Sequence, residues 1–280
     1  MEKYNLQEFA VFIMVHGRPD KMWTLPLLRR RGYTGKIYLI ADNLDNTLNG
    51  YIKKYGKEYV KVFDKKKSAI KYDCGDNTGD LRSTLFAANE SFNIAKDLGL
   101  KYFCLMCDDY YSIGLRDMDG ERAIKNMDRV FYNTINFLKN TPTKTIAFSQ
   151  GGDHIGGFKG VKLKRKAMNS FVCDVNNPFE FMGRMNEDVT TYTNLGSRGD
   201  LFFTFTGVNL SQNDHQQEKE GGLSNMYLDN GTYTKSFFSL MYNPSNTIVK
   251  MMTTKNSSRI HHSIKWKNTT PMIIPEIYKK

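Results

Sequence analysis

Three clusters in this chain carry residue types that can do chemistry. Cys107-Asp108-Asp109-Tyr110 places two adjacent carboxylates at the end of the apolar run Tyr102 to Met106. Carboxylates at the end of a buried strand are costly unless a cation neutralises them. Mg²⁺ or Mn²⁺ is an apt partner, because it takes one or two carboxylates and fills its shell with water and phosphate oxygens. A metal held this way stabilises a departing diphosphate. A helix cap or a surface ion pair accounts for the same two residues about equally well. The second cluster is Asn186-Glu187-Asp188, ahead of Val189-Thr190-Thr191-Tyr192. Carboxylates at a helix start interact well with its dipole; in a catalytic reading one of them is the general base that deprotonates an acceptor hydroxyl. The third is Arg259-Ile260-His261-His262. Paired histidines ligate metal, orient phosphate or act as a base, and Arg259 adds a bidentate phosphate clamp. In a strand His261 and His262 face opposite ways, so at most one of the two is expected to point into a site.

Two further stretches are suggestive. Residues Gln150 to Gly157 are too glycine-rich for a regular element and lack the spacing of a P-loop or a dinucleotide fingerprint. A loop closing over substrate and a plain connection both fit. Lys164-Arg165-Lys166, followed by Asn169 and Phe171, mixes cations with polar and aromatic groups, which suits phosphate gripping with base contact.

The elements that must position these groups alternate in the first half. Phe9 to Val15 reads as a strand ending at His16-Gly17-Arg18-Pro19-Asp20, and a helix over Lys21 to Arg31 stops at Gly32. Lys36 to Ala41 is a second strand, running into Asp42-Asn43 and a helix through Lys54. Tyr59 to Phe63 is a third, and 64–80 reads as a loop. Leu85, Ala88, Phe92, Ala95 and Leu98 repeat at helical spacing within 81–98. A strand from Tyr102, a helix over about 121–139 and a strand over Thr145 to Ser149 follow. Such alternation predicts an α/β fold with a mainly parallel sheet covered by helices on both faces. Ligands then bind beyond the carboxyl ends of the strands, which brings the His16–Asp20 stretch, Asp42-Asn43 and Asp108-Asp109 around one crevice. From Gly151 onward Gly, Asn, Thr and Ser dominate among short β-like runs, and no proline-rich linker separates the halves. One domain over 1–280 is the economical reading.

Composition narrows the function. Forty Lys and Arg against 29 Asp and Glu give a net charge of +11. The excess is clustered at Arg29-Arg30-Arg31, Lys65-Lys66-Lys67, Lys159 to Lys166 and Lys265/Lys267. Clustered cations suit a polyanion, since each neutralised phosphate releases a counterion. The N-terminus lacks a signal-peptide layout, and no apolar run approaches a membrane span. A cytoplasmic protein without membrane contact is expected. Four scattered cysteines do not make a disulfide framework, and Cys104-x-x-Cys107 sits in a strand-like run without a second ligand pair, so free thiols are expected.

The ordered motifs FIMVHGRPDK, IADNLD, FNIAKDLGLKYFCLMCDDYY, FSQGGDHIGG, KRKAMNSF, GRMNEDVTTY, GTYTKSFFS and RIHHSI, spread over nearly the whole chain, resemble the TET-associated glycosyltransferases of bacteriophages. The resemblance implies a GT-A fold, with a nucleotide-sugar half over about 1–115 and an acceptor half over about 116–280. It implies transfer of a sugar from a UDP-sugar to 5-hydroxymethylpyrimidines of phage DNA, in the cytoplasm of the infected host. Cys107-Asp108-Asp109-Tyr110 falls on a metal-binding D-D-D-Y-like run, Asn186-Glu187-Asp188 on the x-E-D element that supplies the base, and His261 or His262 on a late metal or diphosphate ligand. In this reading Asp42, Arg82 and Asp108, with His16 and Arg18, hold the nucleotide. Asp108, Asp109 and a histidine hold Mn²⁺ or Mg²⁺. Asp188 or Glu187 takes the proton, and Lys164, Arg165, Lys166 and Asn169 grip DNA. Cys107 departs from the family by replacing the first Asp, and a thiol is a poor partner for Mg²⁺. Glucose and arabinose, and cytosine and uracil, all remain open as sugar and base. A GT-A enzyme acting on a glycan or protein is the rival reading, opposed by the positive charge. A non-catalytic DNA-binding module is another, with no use for carboxylates at three strand ends.

Overall fold

The computed structural model describes residues 4–154, 163–164, 166–168, 170–212, 224–253 and 258–269. In chain order the elements are β1 (Phe9–Met14), α1 (Thr24–Arg30), β2 (Lys36–Asp42), α2 (Leu48–Tyr55), β3 (Val60–Phe63), α3 (Lys65–Lys71), α4 (Leu85–Asp97) and β4 (Tyr102–Cys107). Then come β5 (Tyr110–Asp117), β6 (Gly120–Ala123), α5 (Met127–Lys139), β7 (Thr143–Ser149), β8 (Leu163–Lys164), β9 (Ser170–Asp174), α6 (Glu187–Ser197) and β10 (Leu201–Gln212). The C-terminal part holds α7 (Ser224–Tyr242), β11 (Thr247–Thr253) and β12 (Ser258–Ile264).

The strands form one sheet in the order β3-β2-β1-β4-β9-β7-β10-β5-β6, with β8 on β10; β11 and β12 pair separately. From β3 to β4 neighbours are parallel, as are β7 and β10, whereas β9 runs antiparallel between β4 and β7. Side chains alternate across each strand. Phe9, Val11 and Ile13 therefore pack with Leu27 and Leu28 of α1, Tyr51 of α2 and Phe131 of α5 on one face. Ala10 and Phe12 pack with Leu85, Phe86 and Phe92 of α4 and with Val189 and Tyr192 of α6 on the other. The expected α/β sheet with helices on both faces is what the chain builds.

Register decides where the polar groups go. Met14 lies level with Ile40 and with Cys107, so His16, Asp42 and Asp108 leave the sheet at the same edge. Because β9 is antiparallel, Met106 faces Ser170, and the segment entering β9 (166–168) starts at that edge too. Most helix and strand expectations hold, with two corrections. Residues 65–71 form α3 rather than loop, because Asp64 caps it by accepting from the Lys67 amide. The expected helix over about 121–139 begins only at Met127, capped by Asn126, and residues 121–123 belong to the β5–β6 hairpin. α4 ends as read, with Gly99 at φ +67° and the Leu100 amide closing on the Ala95 carbonyl.

Candidate active site

The sheet edge gathers two arrays of charge. In the first, Asp108 and Asp109 are both 3% exposed. Arg18 grips Asp108 with two hydrogen bonds, Nε to Oδ2 at 2.9 Å and Nη2 to Oδ1 at 2.6 Å, and its Nη2 lies 3.6 Å from Asp109 Oδ2. Tyr51 Oη accepts from the Arg18 amide and fixes the loop after β1. The Asp108 carbonyl accepts the Trp23 and Thr24 amides, and Thr24 Oγ1 donates to the Cys107 carbonyl, so the start of α1 is docked on the end of β4. Burial pushes the Asp108 carboxyl up, and the Arg18 hydrogen bonds pull it partway back. Burial also opposes the charge on Arg18, but the two aspartates outweigh it and hold the guanidinium above its ordinary value.

Asp42 sits beside this array. Its Oδ2 meets His16 Nδ1 and the Lys65 ammonium, each at 3.0 Å. Burial raises the Asp42 carboxyl, and these two partners more than reverse it, leaving it below the usual range. Asp45, which accepts from the Gly17 amide at 3.0 Å, completes the turn. Lys65 was legible only as part of a basic surface run; here it is buried and belongs to the site. Its signal was its place, two residues past the end of β3.

The second array lies at the start of α6. Glu187 Oε1 accepts from the Thr84 hydroxyl at the start of α4, and the Val189 amide donates to Asp188 Oδ1 at 2.7 Å. Burial first, and then the Asp188 charge, push the Glu187 carboxyl up to about 7; burial raises Asp188 as well. Glu187 is close enough to act electrostatically on Cys107, whose thiol is pushed up chiefly by burial. That proximity joins the acidic pair to the end of β4. The charges of Lys235 and Lys166 also bear on Asp188 and lower its carboxyl.

Asn186, the residue ahead of the pair, has φ +60°, alone among described non-glycine residues in being positive. Its Nδ2 donates to Ser239 Oγ at 2.6 Å and lies 3.3 Å from His262 Nδ1. His261 and His262 were expected to face opposite ways, but their ring centroids are 4.2 Å apart. Burial and the surrounding Lys235 and Arg259 push His261 down to about 4; burial, His261 and the same cations push His262 down to about 3. Both are neutral imidazoles at pH 7.

Other sequence-selected residues lie elsewhere. Arg82 pairs with Asp80 and with Asp229 of α7, not with Asp42 or Asp108. Lys166, expected on DNA, is instead paired with the buried Asp153. Lys164 contributes its backbone to β8 opposite Thr204. Arg165, Asn169 and the glycine-rich stretch beyond His154 lie outside the described residues. All four cysteines are free, Cys104 being fully buried in β4. Among described residues no helix is long and apolar enough to cross a membrane.

A sheet whose parallel strands deliver charged groups to one edge, next to a buried acidic pair, has the layout of an enzyme that binds a ligand beyond its strand ends. The chain matches the TET-Associated Glycosyltransferase family over residues 9–222 and belongs to it; it is a glycosyltransferase. No curated protein matches its sequence significantly. Among solved structures it is similar to glucosyl-3-phosphoglycerate synthase from Mycobacterium tuberculosis in complex with Mg²⁺ and uridine diphosphate, at 10% identity and TM-score 0.45, covering 91% of this chain and 87% of that one. It is also similar to S. aureus TarS 1–349, at 12% identity and TM-score 0.38, covering 72% and 59%.

Proposed function

We propose that this glycosyltransferase moves a sugar from a UDP-sugar to the hydroxymethyl group of a 5-hydroxymethylpyrimidine in phage DNA, within the infected host's cytoplasm. The observation that carries the reading is the buried Glu187–Asp188 pair beside the end of β4. Two neighbouring carboxylates out of water do not both ionise readily. With Glu187 pushed up to about 7, it keeps its proton through mildly acidic pH while Asp188 carries the pair's charge. Asp188 is then the proton acceptor for the attacking hydroxyl, and neutral Glu187, whose Oε1 accepts from the Thr84 hydroxyl, does not repel the incoming oxygen. The net charge of +11 supports DNA as the acceptor, since phosphates are drawn to a basic protein. In this reading residues up to about 115 serve the donor and those from about 116 serve the acceptor.

At the donor side Arg18 and Lys65 supply the cationic groups that a diphosphate needs, with Asp108 orienting the first and Asp42 the second, and His16 adds an imidazole beside Asp42. A divalent metal fits the hard oxygen donors here. Asp109 would hold it together with Asp108, although Asp108 already spends both oxygens on Arg18. Among described residues no group of three or more His, Cys, Asp and Glu side chains gathers to hold a metal, so Mg²⁺ or Mn²⁺ would take the rest of its shell from water and phosphate oxygens. When bound, such an ion neutralises the diphosphate as it leaves. His262 meets Asn186, and His261 packs against His262, so their contribution is to the acceptor end.

The test is a transfer assay: purified protein, Mn²⁺ or Mg²⁺, a panel of UDP-sugars and duplex DNA containing 5-hydroxymethylcytosine, read by nucleoside mass spectrometry. The expected result is a gain of one hexose or pentose on the modified base. A protein that binds this DNA yet modifies neither it nor 5-hydroxymethyluracil DNA sinks the acceptor assignment.

A further inference from the structure

We propose that Lys235, which lies beyond the family-matched residues, is the positioning residue of the acidic pair, its ammonium deciding at what pH Asp188 and Glu187 become available as a base. The inference rests on reading that pair as the proton acceptor. α7 is broken at Gly231, whose φ of 61° and ψ of −175° interrupt the helix. Beyond the break, Lys235 and Ser239 are one turn apart and share a face. Ser239 Oγ accepts from Asn186 Nδ2 at 2.6 Å and lies 3.4 Å from Thr190 Oγ1, the residues on either side of the pair. That face of α7 is therefore laid on the first turn of α6, with Lys235 on it. Further along, Asn243 Nδ2 donates to the Thr193 carbonyl at 3.0 Å, and Ser236 Oγ donates to the Ile260 carbonyl of β12 at 3.4 Å. These bonds fix the helix at both ends of the contact.

Lys235 is only 9% exposed. An ammonium in such a place is expensive unless opposite charge answers it. Asp188 and Glu187 supply that charge, while burial and the neighbouring Arg259 of β12 work against it. The groups facing the pair are Thr84 of α4, Cys107 of β4, Lys166 ahead of β9, Tyr192 of α6 and Lys235 of α7. Lys166 is already committed to Asp153. Lys235 is the one of these that also faces both acids. Its place on a helix outside the family-matched residues makes the base depend on how that helix is seated.

Transfer from UDP-glucose to 5-hydroxymethylcytosine duplex is measured from pH 5 to 9 for wild type, Lys235→Met and Lys235→Arg. In Lys235→Met the acidic limb of kcat is expected to move up by about one pH unit, with KM for donor and DNA unchanged; Lys235→Arg restores it. A uniform loss with an unmoved limb, or a rise in KM alone, overturns the proposal, the latter marking Lys235 as a phosphate ligand. If wild type transfers to no acceptor, the acceptor reading has failed but this inference is still read by NMR. The ¹³C-carboxyl titration of Glu187, assigned with Glu187→Gln, should move up in Lys235→Met, and an unmoved midpoint overturns the inference. Lys235→Gln replaces the Met variant if that does not fold.

Discussion

Asp108 and Glu187 are both buried carboxylates with an acidic neighbour next in sequence, yet they are built for different ends. Asp108 is held by a guanidinium at hydrogen-bonding distance on both oxygens. Glu187 accepts from a neutral hydroxyl, that of Thr84, and the charge of Lys235 also bears on it. Burial raises both carboxyls, but a bidentate ion pair pulls the first partway back, whereas the second is left at about 7, where it can exchange a proton. The lesson is that the partner, not the depth of burial, separates a binding carboxylate from a titrating one.

Breaking the titrating centre should have the largest effect. Asp188→Asn is expected to lower kcat by roughly 10²–10⁴-fold with the fold intact by circular dichroism; near wild-type turnover in the folded variant would remove the base from this site. At the fixed centre, Asp109→Ala should abolish transfer while leaving thermal unfolding nearly unchanged, and full activity would sink its donor-side role. Arg18→Met should cost about 3–5 kcal/mol in chemical denaturation, because it strands a buried charge. A loss within about 0.5 kcal/mol would mean that Asp108 simply takes up a proton.

Proton linkage sharpens the contrast on a smaller scale. Folding favours protonated Glu187, so its contribution to stability is present at low pH and is lost as pH climbs to about 7. Glu187→Gln should flatten that fall, gaining stability over wild type at pH 8 but not at pH 4. His262 has the opposite slope: folding favours its neutral form, so its contribution is present above pH 6.5 and is lost as pH drops toward about 3. His262→Asn should therefore lose less stability than wild type between pH 6.5 and 4. Melting curves across pH check both, and parallel curves for variant and wild type would show that neither group is perturbed.

The elements that carry the donor edge were legible because their signal is local. The run FAVFIM needs only to be apolar throughout to become β1, a strand buried on both faces, and Leu85, Ala88, Phe92 and Ala95 need only helical spacing to become the buried stripe of α4. Polar ends of parallel strands then fall at one edge by topology, which brought His16, Asp42 and Asp108 together from sequence. α3 and the late start of α5 were missed for the same reason in reverse: a single cap, at Asp64 or at Asn126, decides where each helix begins.

Thus the sequence alone determined the α/β alternation, the edge where charge collects and the family whose motifs stand in order. Tertiary structure alone decided the partners. Arg18 meets Asp108 across 90 residues, Thr84 meets Glu187 across 103, and Asn186 meets His262 across 76. It also drew Lys65 inward to Asp42, turned Arg82 toward Asp80 and Asp229, and set Lys166 on Asp153. Periodicity records which face of an element is buried, because burial repeats with the backbone. A countercharge is a single group arriving from a distant element, and no local repeat encodes its arrival.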